Sequence, residues 1–544
     1  MSLNAWSIYA VVIALLVSVP ILVVFSAVFA PTGEVWRHLV DTVLWNYIRN
    51  TLWIILGVGL ATFVTGVLTA WLVTTCRFPG RRIFEWALLL PLAVPSYAIA
   101  FTYAGMFEFT GPVQTGLREW FGWSRADYWF PDIRSVGGAV LVMGLVLYPY
   151  VYLLARAAFI EQSVCVLEAS RALGRGPWRG FFQVALPLAR PAIATGVALA
   201  LMEALSEFGA VQYFAVDTFT TGIYRTWFGL GDARAASQLA AILMAVVLVL
   251  LLIERHSRGQ ARYYHTSTRY RPLPGYRLKG IWRVLAVLAC FLPIFFGFLL
   301  PGAQLLVWSI QTADRMIDLT LLRLAWNSIS LAALAAVLAV MVAAVLAYGV
   351  RLRPSFLTIA ATRVASMGYA VPGAVLAIGV LIPFAWIDNT LDAWMRSTFG
   401  VSTGLLLSGT LIALLFAYLV RFLAISFNTV EASLAKVTPN MDGAARSLGL
   451  GAGRTFFRVH APIIGGSLLT AGLLVFVDVM KELPATLIMR PFNFNTLAVR
   501  SFELASDERL ADSASAALAI VLAGLVPVIL LSRAIARSRP GEGR

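Results

Sequence analysis

Glu168–Gly174 reads EASRALG, and Gly443–Gly449, 275 residues further on, reads GAARSLG. The offset then holds without a gap for about seventy residues, long enough to mark an internal duplication. It pairs Gly174 with Gly449, Pro187 with Pro462, Glu203 with Asp478, Glu207 with Glu482, Thr221 with Thr496 and Arg225 with Arg500. Upstream, Asn50 and Ala93-Val94-Pro95 match Asn327 and Ala370-Val371-Pro372 at an offset of 277, so short insertions separate the two registers.

Outward from the repeated segment, long apolar runs dominate. The chain has 544 residues, 60% hydrophobic and 13% charged, whereas soluble domains are about a quarter charged. A helix needs roughly 20 apolar residues to cross a ~30 Å hydrocarbon core. About twelve runs meet that length, near 8–30, 51–75, 84–107, 137–160, 190–211, 236–254, 283–309, 328–350, 365–387, 403–426, 466–488 and 514–533. The first lacks a small-residue cleavage site and reads as a retained helix. The expected architecture is all-α, with two repeats of six membrane helices. An even number of spans gives both repeats the same orientation, so the duplication is parallel and the pathway is expected on the pseudo-two-fold axis between the halves. Residues 1–254 form the first repeat, 255–282 a polar linker and 283–544 the second repeat.

The net charge of +15 sits in short loops between spans, which fits the positive-inside rule and not nucleic-acid binding. Arg77, Arg81 and Arg82 follow the second span, Arg351, Arg353 and Arg363 the eighth, and Arg533, Arg537, Arg539 and Arg544 close the tail. All basic loops share one side if both termini are cytoplasmic. The linker, with Arg255, Arg258, Arg262, Arg269, Arg271, Arg277 and Lys279, is either a grip on anionic membrane lipid or a plain tether. Cys76, Cys165 and Cys290 share no motif spacing, which supports neither a disulfide framework nor a zinc site. His38, His256, His265 and His460 are placed in loops without ligand spacing.

Glu168-Ala169-Ser170, Gly174 and Val184-Ala185-Leu186-Pro187 in one loop (165–190), with Gly443-Ala444-Ala445, Gly449 and Val459-His460-Ala461-Pro462 in the other (440–465), resemble the EAA loop of ABC-importer permeases. The second copy lacks the acid at the first position and carries Asp442 one place earlier. A short amphipathic helix, a turn that glycine permits and a second helix begun by proline would make a compact protrusion that moves with a partner as a rigid body. Lys481-Glu482-Leu483-Pro484-Ala485-Thr486 with Arg490-Pro491-Phe492, and Glu207–Phe214 with Thr220–Tyr224, are similar to the fused permeases of the ferric iron transporter family. That resemblance covers nearly the whole chain. It implies a type I importer permease of the bacterial inner membrane, working as one fused chain with two copies of an ABC ATPase and a periplasmic substrate-binding protein. Relatives for thiamine, polyamines and phosphonates keep an organic solute open. No Gly-x-x-x-x-Gly-Lys-Ser/Thr loop occurs, so no cofactor is expected in this chain, and ATP and Mg belong to the partner. Two rivals remain: a gradient-driven carrier and a non-transporting scaffold.

Ionisable residues within spans are costly and mark pathways. Glu203 and Glu207, four residues apart, are expected on one face of the fifth span, with Asp478 and Glu482 on the equivalent face of the eleventh. Four carboxylates would suit transient contact with a hard cation such as Fe³⁺. Pairing with Lys481, Arg225 or Arg500 is the competing, structural reading.

Overall fold

Inside hydrocarbon every backbone N–H and C=O must find a partner within the protein, so spans are helical. The computed structural model describes residues 5–31, 33–161, 177–258, 276–352, 354–435 and 437–537. Among these residues eleven helices are long and apolar enough to cross a membrane, or twelve if one pair bent by 89° counts as a single span.

The first repeat runs α1 (Ala5–Ser26), α2 (Glu34–Thr42), α3 (Leu44–Thr75), β1 (Cys76–Arg77), α4 (Arg81–Ala87), α5 (Ser96–Phe107), α6 (Pro112–Phe121), α7 (Val136–Glu161), α8 (Leu186–Ser206), α9 (Gly209–Tyr213), α10 (Phe219–Tyr224) and α11 (Ala233–Arg258). The second repeat follows with β2 (Tyr276–Arg277), α12 (Ile281–Ile294), α13 (Leu300–Gln311), α14 (Leu319–Leu352), α15 (Phe356–Ala365), α16 (Gly373–Phe399), α17 (Leu411–Leu434), α18 (Pro439–Ser447), α19 (Ala461–Met480), α20 (Pro484–Met489), α21 (Leu497–Ser506) and α22 (Leu510–Arg537).

A straight third span over 84–107 is not what forms. The chain makes a 3-10 turn at Leu90–Ala93, Val94 is extended, and Pro95 caps α5. Proline holds its predecessor out of the helical region and has no N–H to continue the ladder. The limbs Arg81–Ala93 and Ser96–Phe121 therefore meet at 89°. The second repeat copies the device, with a 3-10 turn at Gly368–Ala370 and Pro372 capping α16.

The chain forms two compact units. One comprises Met1–Thr42, Gly222–Met244 and Ile317–Arg500; the other comprises Val43–Thr221, Ala245–Met316 and Ser501–Arg544. Each unit thus takes its centre from one repeat and outer helices from the other. In the first unit α14, α17 and α19 pack together, and α1 lies against α14, α15 and α16. In the second unit α3, α7 and α8 form the equivalent trio, and α22 packs on α13 and on the Leu90–Ala93 turn.

The face α14 turns to its neighbours is a stripe of buried alanines, Ala332, Ala335, Ala336, Ala339, Ala343 and Ala347. Its other face exposes Leu334, Val337, Met341 and Val345. Small residues let backbones approach where lipid supplies no hydrophobic drive, while bulky ones face the tails.

Candidate functional site

The repeated loop is described in its second copy. Glu168, Ala169, Ser170 and Gly174 of the first copy lie outside the described residues. Pro439 occupies the first turn of α18 behind the cap residue Thr438, where its missing N–H costs nothing. The helix ends at Ser447, and just beyond its cap Leu448 stands Gly449, whose φ of +75° is left-handed and suits a residue without a Cβ. Gly449 and Leu450 donate their N–H groups back to Arg446 and Ala445, a typical left-handed helix end. Ala445 is buried against the body, while Gly443, Ala444 and Gly449 are exposed beside Met441 and Leu448.

Pro187 and Pro462 stand in the first turns of α8 and α19, as the sequence suggested, but helical turns already precede them. A short helix at Pro177–Gly180 or Ala452–Thr455 leads into a π turn, Phe181–Ala185 or Phe456–His460. Leu186-Pro187 and Ala461-Pro462 come immediately after these turns. A π turn widens the hydrogen-bond ladder at the place where proline offers no donor.

Charge seats the second copy. The Arg351 guanidinium donates to Leu434 O (2.6 Å), to Val437 O (2.8 Å) and to Asp442 Oδ2 (2.8 and 3.1 Å). His460 Nε2 is 2.7 Å from Asp442 Oδ1. Burial pushes the Asp442 carboxyl up, but hydrogen bonds from Arg351 and His460 outweigh it and hold it below the usual carboxylate range. Tyr348 packs at a tilt against Phe456 and His460 and donates its hydroxyl to Ala452 O. His460 is therefore a fully buried part of this node and not a loop residue; His38 and His256 also lie within helices, and His265 falls outside the described residues.

At the repeat offsets the same positions in the first copy are Trp71 for Tyr348, Thr74 for Arg351, Leu167 for Asp442 and Ala185 for His460. The aromatic contact survives, with Trp71–Phe181 centroids 4.8 Å apart against 5.0 Å for Tyr348–Phe456. The residue types of the ionic node do not.

The four acids are arranged differently from the expectation of two faces of two helices. Helix α8 ends at Ser206 and α19 at Met480, so the eleventh span does not reach 488. Glu203 and Asp478 are half-buried within their helices, while Glu207 and Glu482 stand just beyond the ends. There each carboxylate folds forward over the next short helix. Glu207 accepts from Ala210 N (2.9 Å), and Glu482 from Ala485 N (2.9 Å), its repeat equivalent. The Ser96 hydroxyl donates to Glu207. Glu482 instead takes Arg421 Nη1 (3.2 Å), and Thr486 through its N–H (2.9 Å) and hydroxyl. Asp478 pairs with Lys481 at 2.9 Å.

Among the described residues no three His, Cys, Asp or Glu side chains are grouped to hold a metal ion. Within its own unit each of Glu207 and Glu482 turns its carboxylate oxygens to the loop that follows it.

Sequence reasoning missed Arg421 and read Arg351 only as a loop charge. A lone arginine within the apolar span 403–426 was the available signal. Asn50 and Asn327, known only as matching letters, tie the start of the long helix to the loop beyond the acids. Asn50 Nδ2 donates to Asp217 O (2.9 Å) and Asn327 Nδ2 to Asn495 O (3.1 Å).

Residues 62–253 match the family described as "Binding-protein-dependent transport system inner membrane component". Over 503 residues, 89% of each chain, the protein is 27% identical to the "Fe(3+)-transport system permease protein FbpB 2" of Haemophilus influenzae. It is 31% identical over 194 residues to the "Molybdenum transport system permease protein ModB" of Escherichia coli, covering 35% of this chain and 82% of that one. It is 30% identical over 193 residues to the "Sulfate transport system permease protein CysT" of Escherichia coli, covering 35% and 67%.

Proposed function

Because this chain belongs to the family of binding-protein-dependent transport system inner-membrane components, we propose that the cargo it carries into the cytoplasm is ferric iron. It is the multi-pass inner-membrane permease of an ABC importer, and such a permease works with an ATPase and a binding protein. The observation that carries the iron reading is coverage. The iron-permease relative aligns with 89% of the chain and so takes in both repeats, whereas the molybdenum and sulfate relatives align with 35%.

In this reading one fused chain presents two loops to two ATPase copies. ATP and Mg are bound and ATP is hydrolysed on those partners, with no cofactor in this chain. Both termini are cytoplasmic, and the binding protein delivers cargo from the periplasm. Nucleotide-driven closure of the ATPases moves the loops. In the second copy Arg351, Asp442 and His460 tie α18 to α14 and to the helix leading into α19, so a push on the loop reaches two spans directly. Glu203, Glu207 and Asp478 are the proposed transient contacts for the cation, since each is half-buried. Asp478 and Glu482 have the smaller share, because Lys481 and Arg421 already pair with them.

The test is reconstitution of the chain in vesicles with its ATPase and binding protein. ATP-dependent uptake of labelled ferric iron is expected only with all three present. Glu203→Gln and Glu207→Gln are expected to lower uptake at least ~10-fold, about 1.4 kcal/mol on the barrier, with the complex still assembled. Uptake by the chain alone under an ion gradient would sink the importer reading. Uptake of molybdate or sulfate in place of iron would sink the cargo, and full uptake by both variants would sink the role of the acids.

A further inference from the structure

The two strands β1 and β2 come from places 200 residues apart and pair in parallel, with Cys76 opposite Tyr276 and Arg77 opposite Arg277. Leu278 N–H donates to Arg77 O (3.3 Å) and extends the clip. Residues in register on neighbouring strands share a face, with backbones roughly 5 Å apart. Arg77 and Arg277 therefore stand side by side with like charge, an arrangement that destabilises a strand pair. Both are exposed.

The surroundings deepen the positive charge. Arg82, Lys279 and Arg283 are exposed nearby in sequence, and Glu85 is the lone acid in 76–87 and 276–294. Glu85 is engaged by Arg81 and Arg156, each at 3.4 Å. The positive-inside rule accounts for basic residues on this side. It does not account for two arginines set in direct register by a strand pair that the rest of the fold lacks among the described residues. Repulsion of that kind is relieved when a shared anion sits between the two guanidinium groups, each of which offers a fork of donors matched to phosphate.

Beside the cations the surface turns apolar and stays uncovered. Ile83 and Trp86 of α4, and Ile281 and Trp282 of α12, are 42–64% exposed, and these two helices pack on each other. Phosphate-binding side chains that border exposed tryptophan and isoleucine, at the point where α3 leaves the membrane and α12 enters it, match a molecule with an anionic head and an acyl tail.

We propose that the β1–β2 clip, through Arg77 and Arg277, binds the headgroup of an anionic phospholipid whose tails lie along α4 and α12. The site shares no named residue with the repeated loops or the acids, and it stands whichever solute the permease carries.

The full chain in detergent, titrated with single lipids and read by native mass spectrometry and thermal unfolding, tests this. Wild type is expected to hold phosphatidylglycerol roughly 10–30-fold more tightly than phosphatidylethanolamine, as two surface arginines imply. Arg77→Gln/Arg277→Gln should reduce that preference to within about 2-fold, while a control pair of exposed arginines elsewhere, Arg323→Gln/Arg363→Gln, should keep it. Without lipid the clip variant should melt no lower than wild type, because the repulsion is gone, and phosphatidylglycerol should stabilise wild type alone. An unchanged preference in the clip variant overturns the proposal. So does a variant that melts lower with and without lipid alike, which marks a structural role. Stabilisation of wild type by inorganic phosphate as strongly as by phosphatidylglycerol makes this a free-anion site and overturns the lipid.

Discussion

Glu207 and Glu482 hold equivalent places in the two repeats and accept the same backbone bond three residues ahead, but a serine completes one and an arginine the other. Counting back from Glu161-Gln162-Ser163 and Glu431-Ala432-Ser433, Tyr148 aligns with Tyr418 and Val151 with Arg421. Ser96 aligns with Gly373 at the offset of the AVP segments. A Cβ on Gly373 would lie 2.5 Å from Arg421 Nη1 and 2.8 Å from Glu482 Oε1. The two differences are thus one exchange. Where the second repeat brought in a guanidinium it gave up the side chain that would fill its space. The repeated loop shows the same drift, with an ionic node in the second copy where the first has Thr74, Leu167 and Ala185. Backbone geometry is what the duplication kept, and the chemistry that holds it has diverged.

The largest effect should come from Arg421→Met. Both partners are nearly fully buried, with side-chain exposure of 6% and 2%, and removing one partner of a buried pair costs about 3–5 kcal/mol. Thermal unfolding of the purified chain should show that loss, and Arg421→Met/Glu482→Gln should recover most of it. Glu207→Gln in the first repeat should cost about 1 kcal/mol. Equal losses from Arg421→Met and Glu207→Gln would erase the contrast between the repeats.

Next in size is Asp442→Asn. It keeps the side-chain shape but removes the charge from three hydrogen bonds, weakening each from about 1.5–3 toward about 1 kcal/mol. Transport per ATP hydrolysed should fall severalfold as α18 loosens, and a transport-to-hydrolysis ratio equal to wild type would show that the node does not convey motion. Exchanging the space-making residue sharpens the comparison further. Gly373→Ser should cost about 1–3 kcal/mol by overpacking, and Ser96→Gly about 1 kcal/mol by loss of one hydrogen bond.

The smallest effect concerns pH. The folded Asp442 carboxyl titrates below its unfolded value of about 3.9, so its contribution is present above that value and is lost as pH falls through the lower, folded one. The part of loop protection that Asp442→Asn removes should therefore be flat from about pH 5 upward and fade only below about 4. Hydrogen exchange of α18 in both proteins would reveal any earlier fade.

Hydropathy located the spans because lipid leaves the backbone no alternative to helix, and the offset of 275 located the loops. Helix ends were harder, since an apolar run does not register where a helix stops. Pro484 did carry the information: it has no N–H to continue a helical ladder, so a break ahead of it was readable, and it opens the short helix α20 after α19 has ended at Met480. Gly209 stands at the matching place in the first repeat, where only the repeat could have transferred that reading. The partners of Glu207 and Glu482 come from 111 and 61 residues away, and no local pattern encodes such separations. The exchange of outer helices between units was equally hidden, because α1 carries no mark naming the helices it will meet.

That exchange sets a timetable for biogenesis. α1 precedes its partners by some three hundred residues, for its contacts in the folded unit are with α14, α15 and α16, at residues 319–399. At about 5–20 residues per second of synthesis, the first span waits on the order of tens of seconds in lipid before its neighbours exist. A stripe that must later be buried spends that time open to other chains, so crowding of the insertion machinery should harm this helix before any other.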